Sequence, residues 1–220
     1  MHVAIIMNGN GEWAGRRGLP PTTSGAAGAT ALRDVVTLAV EAGVRTLTFY
    51  AICTPGSGRH PHEISADLAV LEAFLRDHAC DHAAQSVGIA VIGARKWLDD
   101  TLPAASAYGS RCRASGARLQ LRLVVDYLAH DSALLDAWHS ADPHALEKLR
   151  RQLNDIDPTV LPAGAADLLI RTGMGRCRGD FMLWELAYAT MHNVERLWPD
   201  FTVHDFRAAL ATHTRATSLP

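Results

Sequence analysis

Hydrophobic and polar positions along the chain switch repeatedly between a strand-like and a helix-like spacing. Val3-Ala4-Ile5-Ile6-Met7 is continuously apolar, as a strand buried on both faces is, and it breaks at Asn8-Gly9-Asn10-Gly11 before Glu12-Trp13-Ala14 resumes as a helix. Residues 16–25, rich in Gly, Pro, Thr and Arg, predict a loop or a short helix with turns. From about residue 27 to residue 42, Leu32, Val35, Val36, Ala39 and Val40 follow helical spacing, and Gly43 sits where that helix would stop. Residues 45–52 predict a second strand that ends in the turn-rich run 53–58, and a helix beginning near Pro61 carries Ile64, Leu68, Leu71 and Leu75 on one face. Further strands are predicted at 88–93, 119–125 and 167–171. Helices are predicted around Leu134, Leu135 and Trp138 and around Leu146, Leu149 and Leu153, and an apolar buried helix over 180–191.

Strands alternating with helices imply parallel βαβ units. Ligands in such sheets sit beyond the carboxyl ends of the strands, so three strand-end loops become neighbours: 8–13, 53–59 and 171–179. Each contains glycine, and the last two contain arginine. Glycines that let backbone N–H groups approach a ligand, together with guanidinium groups, suit a phosphate. The competing reading makes the glycines plain turns and the arginines solvated surface groups.

Composition narrows the classes. A chain of 220 residues with 48% hydrophobic residues can bury a sizeable core, and a single domain over 1–220 is expected. A net charge of -2 argues against bulk nucleic-acid binding. No run approaches the roughly 18 apolar residues of a membrane span, and no leader is recognised before the first strand, so a cytoplasmic location without a transmembrane segment is expected. Cys53, Cys80, Cys112 and Cys177 are far apart and lack metal-type pairing, which favours reduced thiols.

The ordered motifs carry a resemblance. Ile5-Ile6-Met7-Asn8-Gly9-Asn10-Gly11-Glu12-Trp13-Ala14 resembles the I-M-D-G-N-G-R-W-A signature of the cis-prenyltransferase (undecaprenyl diphosphate synthase) family, and Leu47-Thr48-Phe49-Tyr50-Ala51 its L-T-L-Y-A strand. Arg59 and Glu63 fall in its R-P-x-x-E segment. Asp167 to Gly173 matches D-L-V-I-R-T-G, Phe181 to Ala189 matches F-L-L-W-Q-x-A-Y-A, and Leu197 to Phe201 matches L-W-P-D-F. The resemblance implies an α/β fold with a central six-stranded, mainly parallel sheet surrounded by helices and enclosing a hydrophobic tunnel. It implies a homodimer, isoprenoid diphosphate substrates, and coupling of an allylic diphosphate to a second diphosphate, usually with magnesium.

It also implies the site. Gly9, Asn10 and Gly11 would present N–H groups to one diphosphate with help from Arg59, and Arg171 with Arg176 or Arg178 would hold the other. Trp13 and Ile52 would border the hydrophobic pocket. The departures are specific. The family's metal-binding Asp is Asn8 here, and its second metal carboxylate, placed on a helix, falls at Thr190, so no metal ligand is certain. A loop Arg falls at Glu12, a later Arg at Pro21 and a His at Gly25, while the R-x-S pattern becomes Cys177-Arg178-Gly179. Asn8 is no carboxylate base, so a proton released after coupling passes to the departing diphosphate, with Asn8 and Ser57 as candidate relays; Ser57 also fits a plain turn serine. Tyr188 and Trp184 are expected in the core. Rewriting both diphosphate sites favours, within this family, an irregular head-to-middle coupling of geranyl and dimethylallyl diphosphate to a branched C15 diphosphate in secondary metabolism. The alternatives are a head-to-tail cis-polyprenyl synthase using isopentenyl diphosphate and a non-catalytic partner subunit.

Overall fold

The computed structural model of the chain describes residues 1–52, 61–78, 87–92, 102, 117–125, 165–173, 186 and 188–217. Within them, strands β1 (His2–Ile6), β2 (Thr46–Ile52), β3 (Val87–Ile92), β4 (Leu119–Val125), β5 (Leu168–Thr172) and β6 (Thr190–Val194) form one sheet. Its order is β3-β4-β2-β1-β5-β6, and every pairing is parallel. Helices α1 (Asn10–Arg16), α2 (Ser24–Glu41), α3 (Pro61–His78) and α4 (Val203–Thr217), with short 3-10 turns at Pro21–Thr23 and Trp198–Asp200, complete the described elements. This is the α/β sheet expected from the motifs.

The uninterrupted apolar runs are explained by burial on both faces. Val3, Ile5, Leu47, Phe49, Leu121, Leu123, Leu168 and Ile170 join Leu32 and Val36 of α2, Leu71 and Leu75 of α3, and Phe206 of α4 in one core. The opposite pleat carries Ala4, Ile6, Tyr50, Ile92, Val124 and Leu169 into a second, smaller core. Along α2 and α3 the apolar positions recur at helical spacing, and Gly43 ends α2 with φ +71, a conformation that suits glycine. These two helices touch closely where α2 lacks side chains. A Cβ on Gly25 would lie 2.9 Å from the Ala69 carbonyl oxygen, and one on Gly28 would lie 2.6 Å from Val70 Cγ2. The His that the family carries at the position of Gly25 has no room here.

Two expectations are corrected. The helix predicted through Met191 gives way before Thr190, which begins β6, so Thr190 lies on a strand; residues 180–185 and 187 lie outside the described residues. Ala-Thr-Met-His has no strong strand signature, and pairing of Thr190–Val194 with the free edge of β5 overrides helical propensity. Tyr188, expected in the core, is 92% exposed in the turn before that strand. The pattern also left residues beyond 201 unassigned, where α4 forms. Its start is a reciprocal cap: the Asp205 carboxylate accepts from the N–H and hydroxyl of Thr202 at 3.0 and 2.6 Å, and Thr202 Oγ1 accepts from the Asp205 N–H at 3.3 Å. The helices predicted around 134–153, and Trp184, lie outside the described residues. No helix among the described residues is long and apolar enough to cross a membrane.

Candidate functional site

β1 lies mid-sheet, with the chain continuing to β2 on one side and β5 added on the other. Connections leaving in opposite directions open a crevice at the carboxyl ends of β1 and β5, the general ligand position of such sheets. The loop after β1 opens there. Gly9 adopts φ +100, and a Cβ on it would come within 2.6 Å of Leu197 Cδ2, so both backbone conformation and space demand glycine. The first helical bond of α1 runs from the Trp13 N–H to the Gly9 carbonyl at 2.8 Å. The N–H groups of Asn10, Gly11 and Glu12 precede it and are the donors a helix start leaves over.

Three supports fix this loop. Thr172 Oγ1, at the end of β5, accepts from the Asn8 N–H at 3.0 Å and faces the carbonyls of Asn8 and Ile6 at 3.0 and 3.2 Å. The Trp198 N–H donates to the Asn8 carbonyl at 2.9 Å, while its indole N–H donates to the Gly28 carbonyl at 3.0 Å and its ring stacks on Phe201. Asn10, 1% exposed, turns its side chain inward and donates to the Asp67 carboxylate at 2.7 Å, tying α1 to α3. What Asn10 offers a ligand is therefore its backbone.

Asn8 is half-buried, and its Nδ2 is enclosed without a hydrogen-bond partner among the described residues. Gly173 lies beside it with φ +67, a conformation that favours glycine, and a Cβ there would make an ordinary contact with Asn8 Cβ at 3.5 Å. Arg171 is half-buried on β5 beside Ile6 in the register and has partners of its own. The structure thus brings Asn8, Gly9, Asn10, Gly11 and Arg171 to one end of neighbouring strands. Ser57, Arg59, Arg176 and Arg178 lie outside the described residues. For Ile52 only the backbone, ending β2, is described.

Trp13 is half-buried on α1 and is gripped from outside the sheet. Its indole N–H donates to Asp200 at 2.7 Å, and the Arg17 guanidinium lies 4.1 Å from its ring centroid. Arg17 also donates to both oxygens of Asp200, at 3.2 and 3.3 Å. Sequence reasoning passed over Thr172, Arg17 and Asp200. Thr172 was signalled by the Asp167–Gly173 motif and Asp200 by L-W-P-D-F, whose Trp bonds the Asn8 carbonyl and whose Asp bonds Trp13, while nothing in the sequence singled out Arg17.

Two departures from the family pattern take on new meaning. Thr190 pairs with Leu168 at the start of its strand, whereas Asn8 is bonded to Thr172, four residues on. That is about 13 Å along the strands and two strands across at about 4.8 Å each. Thr190 faces His213 instead, with its Oγ1 3.2 Å from Nδ1. It does not share an ion with Asn8 within one chain. Glu12, for its part, turns along α1 to Arg16 at 2.6 Å, with the two side chains 48% and 65% exposed. Such a pair is worth about 0.3–0.5 kcal/mol.

Magnesium is generally used in the family that the motifs resemble. Asn8 offers an amide rather than a carboxylate, and no group of three or more His, Cys, Asp or Glu side chains converges among the described residues. These residues do not fit an ion held by protein carboxylates.

Comparison with known proteins bears on the family and the fold. Residues 6–218 match the prenyltransferase family model described as "Putative undecaprenyl diphosphate synthase". Isoprenyl transferase 1 of Bradyrhizobium diazoefficiens is 39% identical over 216 residues, covering 96% of this chain and 85% of the relative. A ditrans,polycis-undecaprenyl-diphosphate synthase ((2E,6E)-farnesyl-diphosphate specific) of Xanthomonas oryzae pv. oryzae is 33% identical, covering 95% and 83%. Among solved structures, lavandulyl diphosphate synthase from Lavandula x intermedia, in complex with dimethylallyl diphosphate, superposes with a TM-score of 0.69 over 96% of this chain and 94% of that one. At 22% identity this last likeness shows the fold.

Proposed function

Because the chain belongs to the undecaprenyl diphosphate synthase family of prenyltransferases, we propose that it joins an allylic diphosphate head to tail to isopentenyl diphosphate, building a cis-prenyl chain. The observation that carries this reading is the loop at the carboxyl end of β1. Gly9 is locked at φ +100, three leading N–H groups of α1 are left over, and Arg171 stands at the end of the adjacent strand. Ionising or displacing an allylic diphosphate needs oriented donors on the departing anion, which backbone N–H groups and guanidinium forks supply. A dry apolar wall protects the allylic cation from water. In this proposal Gly9, Asn10, Gly11 and Arg59 take one diphosphate, and Arg171 with Arg176 or Arg178 takes the other. The acting unit is a single domain over 1–220, paired as a homodimer.

The geometry bears on the irregular alternative. The case for head-to-middle coupling draws on departures at Asn8, Thr190, Glu12, Pro21, Gly25 and Cys177-Arg178-Gly179, two of which the geometry sets apart from the first loop's ligand face. Thr190 is remote from Asn8 within the chain, and Glu12 is turned to Arg16. Asn8 remains, with an enclosed Nδ2 where the family has a carboxylate. It favours a second reading, in which the chain, resembling the head-to-middle enzyme isosesquilavandulyl diphosphate synthase, couples geranyl and dimethylallyl diphosphate to a branched C15 diphosphate. In that reading the departing diphosphate accepts the proton that Asn8 does not take.

Product analysis tests both. The chain is incubated with dimethylallyl, geranyl and isopentenyl diphosphates in pairs, and the dephosphorylated products are identified by mass spectrometry. A linear product that requires isopentenyl diphosphate is expected. A branched C15 alcohol from the two allylic substrates would replace this reading with the second, and no product from any pair would favour a non-catalytic subunit.

A further inference from the structure

An open cleft of about 610 Å³ runs beside the first loop, lined by Gly11, Glu12, Gly15, Arg16, His62 and Glu63. Two of the lining residues are glycines about one helical turn apart on α1. A Cβ on Gly15 would meet nothing within 4 Å, and one on Gly11 would have Glu63 and the edge of His62 as its nearest contacts, at 3.5–3.8 Å. Arg16 is the one arginine or lysine among the lining residues. Its neighbour Arg17 is committed to Asp200, to the Trp13 ring and, at 3.2 Å, to the Trp13 carbonyl. Arg16 has a single partner among the described residues, Glu12, and two thirds of its side chain is exposed.

We propose that Arg16 is a diphosphate-binding residue of this cleft, held in place by Glu12 in the free protein and transferred to the substrate's diphosphate when it binds. The inference rests on the reading that the chain binds prenyl diphosphates and adds a residue to that site. A guanidinium shared with one exposed carboxylate is easily exchanged, because screened surface pairs are weak. A diphosphate carries at least two negative charges and presents paired oxygens that match the guanidinium fork. The carboxylates of Glu12 and Glu63 line the same cleft, so a singly charged anion gains little there. Glu12 therefore both positions Arg16 and sets a threshold of charge that the ligand must exceed.

Calorimetric titration of the full chain with inorganic diphosphate and with dimethylallyl diphosphate, in chelator-containing buffer, tests this with two variants. Glu12→Gln and Arg16→Gln break the same ion pair, so a merely structural pair would move both the same way. The expected outcome is opposite signs: Arg16→Gln weakens binding by about tenfold or more, and Glu12→Gln tightens it by about two- to fivefold. Arg16→Lys should retain part of the affinity. Equal or absent effects of the two variants, on a wild type that binds, would overturn the role of Arg16 alone. A wild type that binds neither probe would overturn the diphosphate site with it.

Discussion

Thr172 Oγ1 stands 3.0 Å from both the amide nitrogen and the carbonyl oxygen of Asn8, so the end of β5 sets the exit angle of the chain from β1. Thr172→Val keeps the shape and removes the hydroxyl. It removes one of the two acceptors of the Asn8 N–H, which keeps the Ile6 carbonyl at 3.1 Å, so the cost is about 0.5–1.5 kcal/mol. Thermal unfolding should show that loss, kcat/KM should fall with it, and Thr172→Ser should recover most of both. A Val variant with unaltered activity would detach the loop from this hydroxyl.

Gly9→Ala meets two obstacles, a left-handed backbone and contact with Leu197. Each is expected to cost about 1–3 kcal/mol. Adding Leu197→Ala relieves the contact and leaves the backbone strain, so denaturant unfolding of the double variant should show less than the sum of the single effects. Strict additivity would mean that the contact does not limit the position.

Asp200 holds Trp13 and Arg17 from outside the diphosphate-facing residues and so sets the tilt of α1. Because the Arg17 pair is exposed, Asp200→Ala should cost little stability, under about 1 kcal/mol. The KM for the allylic diphosphate should rise by about three- to tenfold, with kcat changing by less than about twofold. An unchanged KM would make the clamp a surface detail.

The separation of Asn8 from Thr190 gives a metal test. Asn8→Asp restores a carboxylate at the loop and should lower the magnesium concentration for half-maximal activity. Thr190→Glu should add no further shift if one chain forms the site. A further shift would require Thr190 to reach the ion from a second copy. Thr190→Val should cost only about 0.5–1.5 kcal/mol, from its bond to His213.

Much of this architecture was legible in the chain. The apolar runs from Val3, from Thr46 and from Leu119 are strands, the stop at Gly43 ends α2, and the order of motifs gave the family. The first loop was legible because a glycine with φ +100 leaves a Gly-x-Gly trace. What the sequence hid is lateral. A motif aligned along the chain assigns Thr190 and Asn8 to one role, but the register of β6 against β5 puts them at opposite ends of the sheet. Helix-favouring residues before Thr190 gave no warning that the free edge of β5 would capture the chain. Nor does a sequence show that Glu12 turns to Arg16, since a helix start with an acid one turn before a base fits several side-chain directions.

The central claim is that a substrate diphosphate is held at the carboxyl ends of β1 and β5. A crystal structure with dimethylallyl thiolodiphosphate, whose diphosphate does not depart readily, tests it most directly. Diphosphate density against the N–H groups following Gly9 and within reach of Arg171 is the expected result. Density at the opposite end of the strands, near His2 and Thr190, would contradict it.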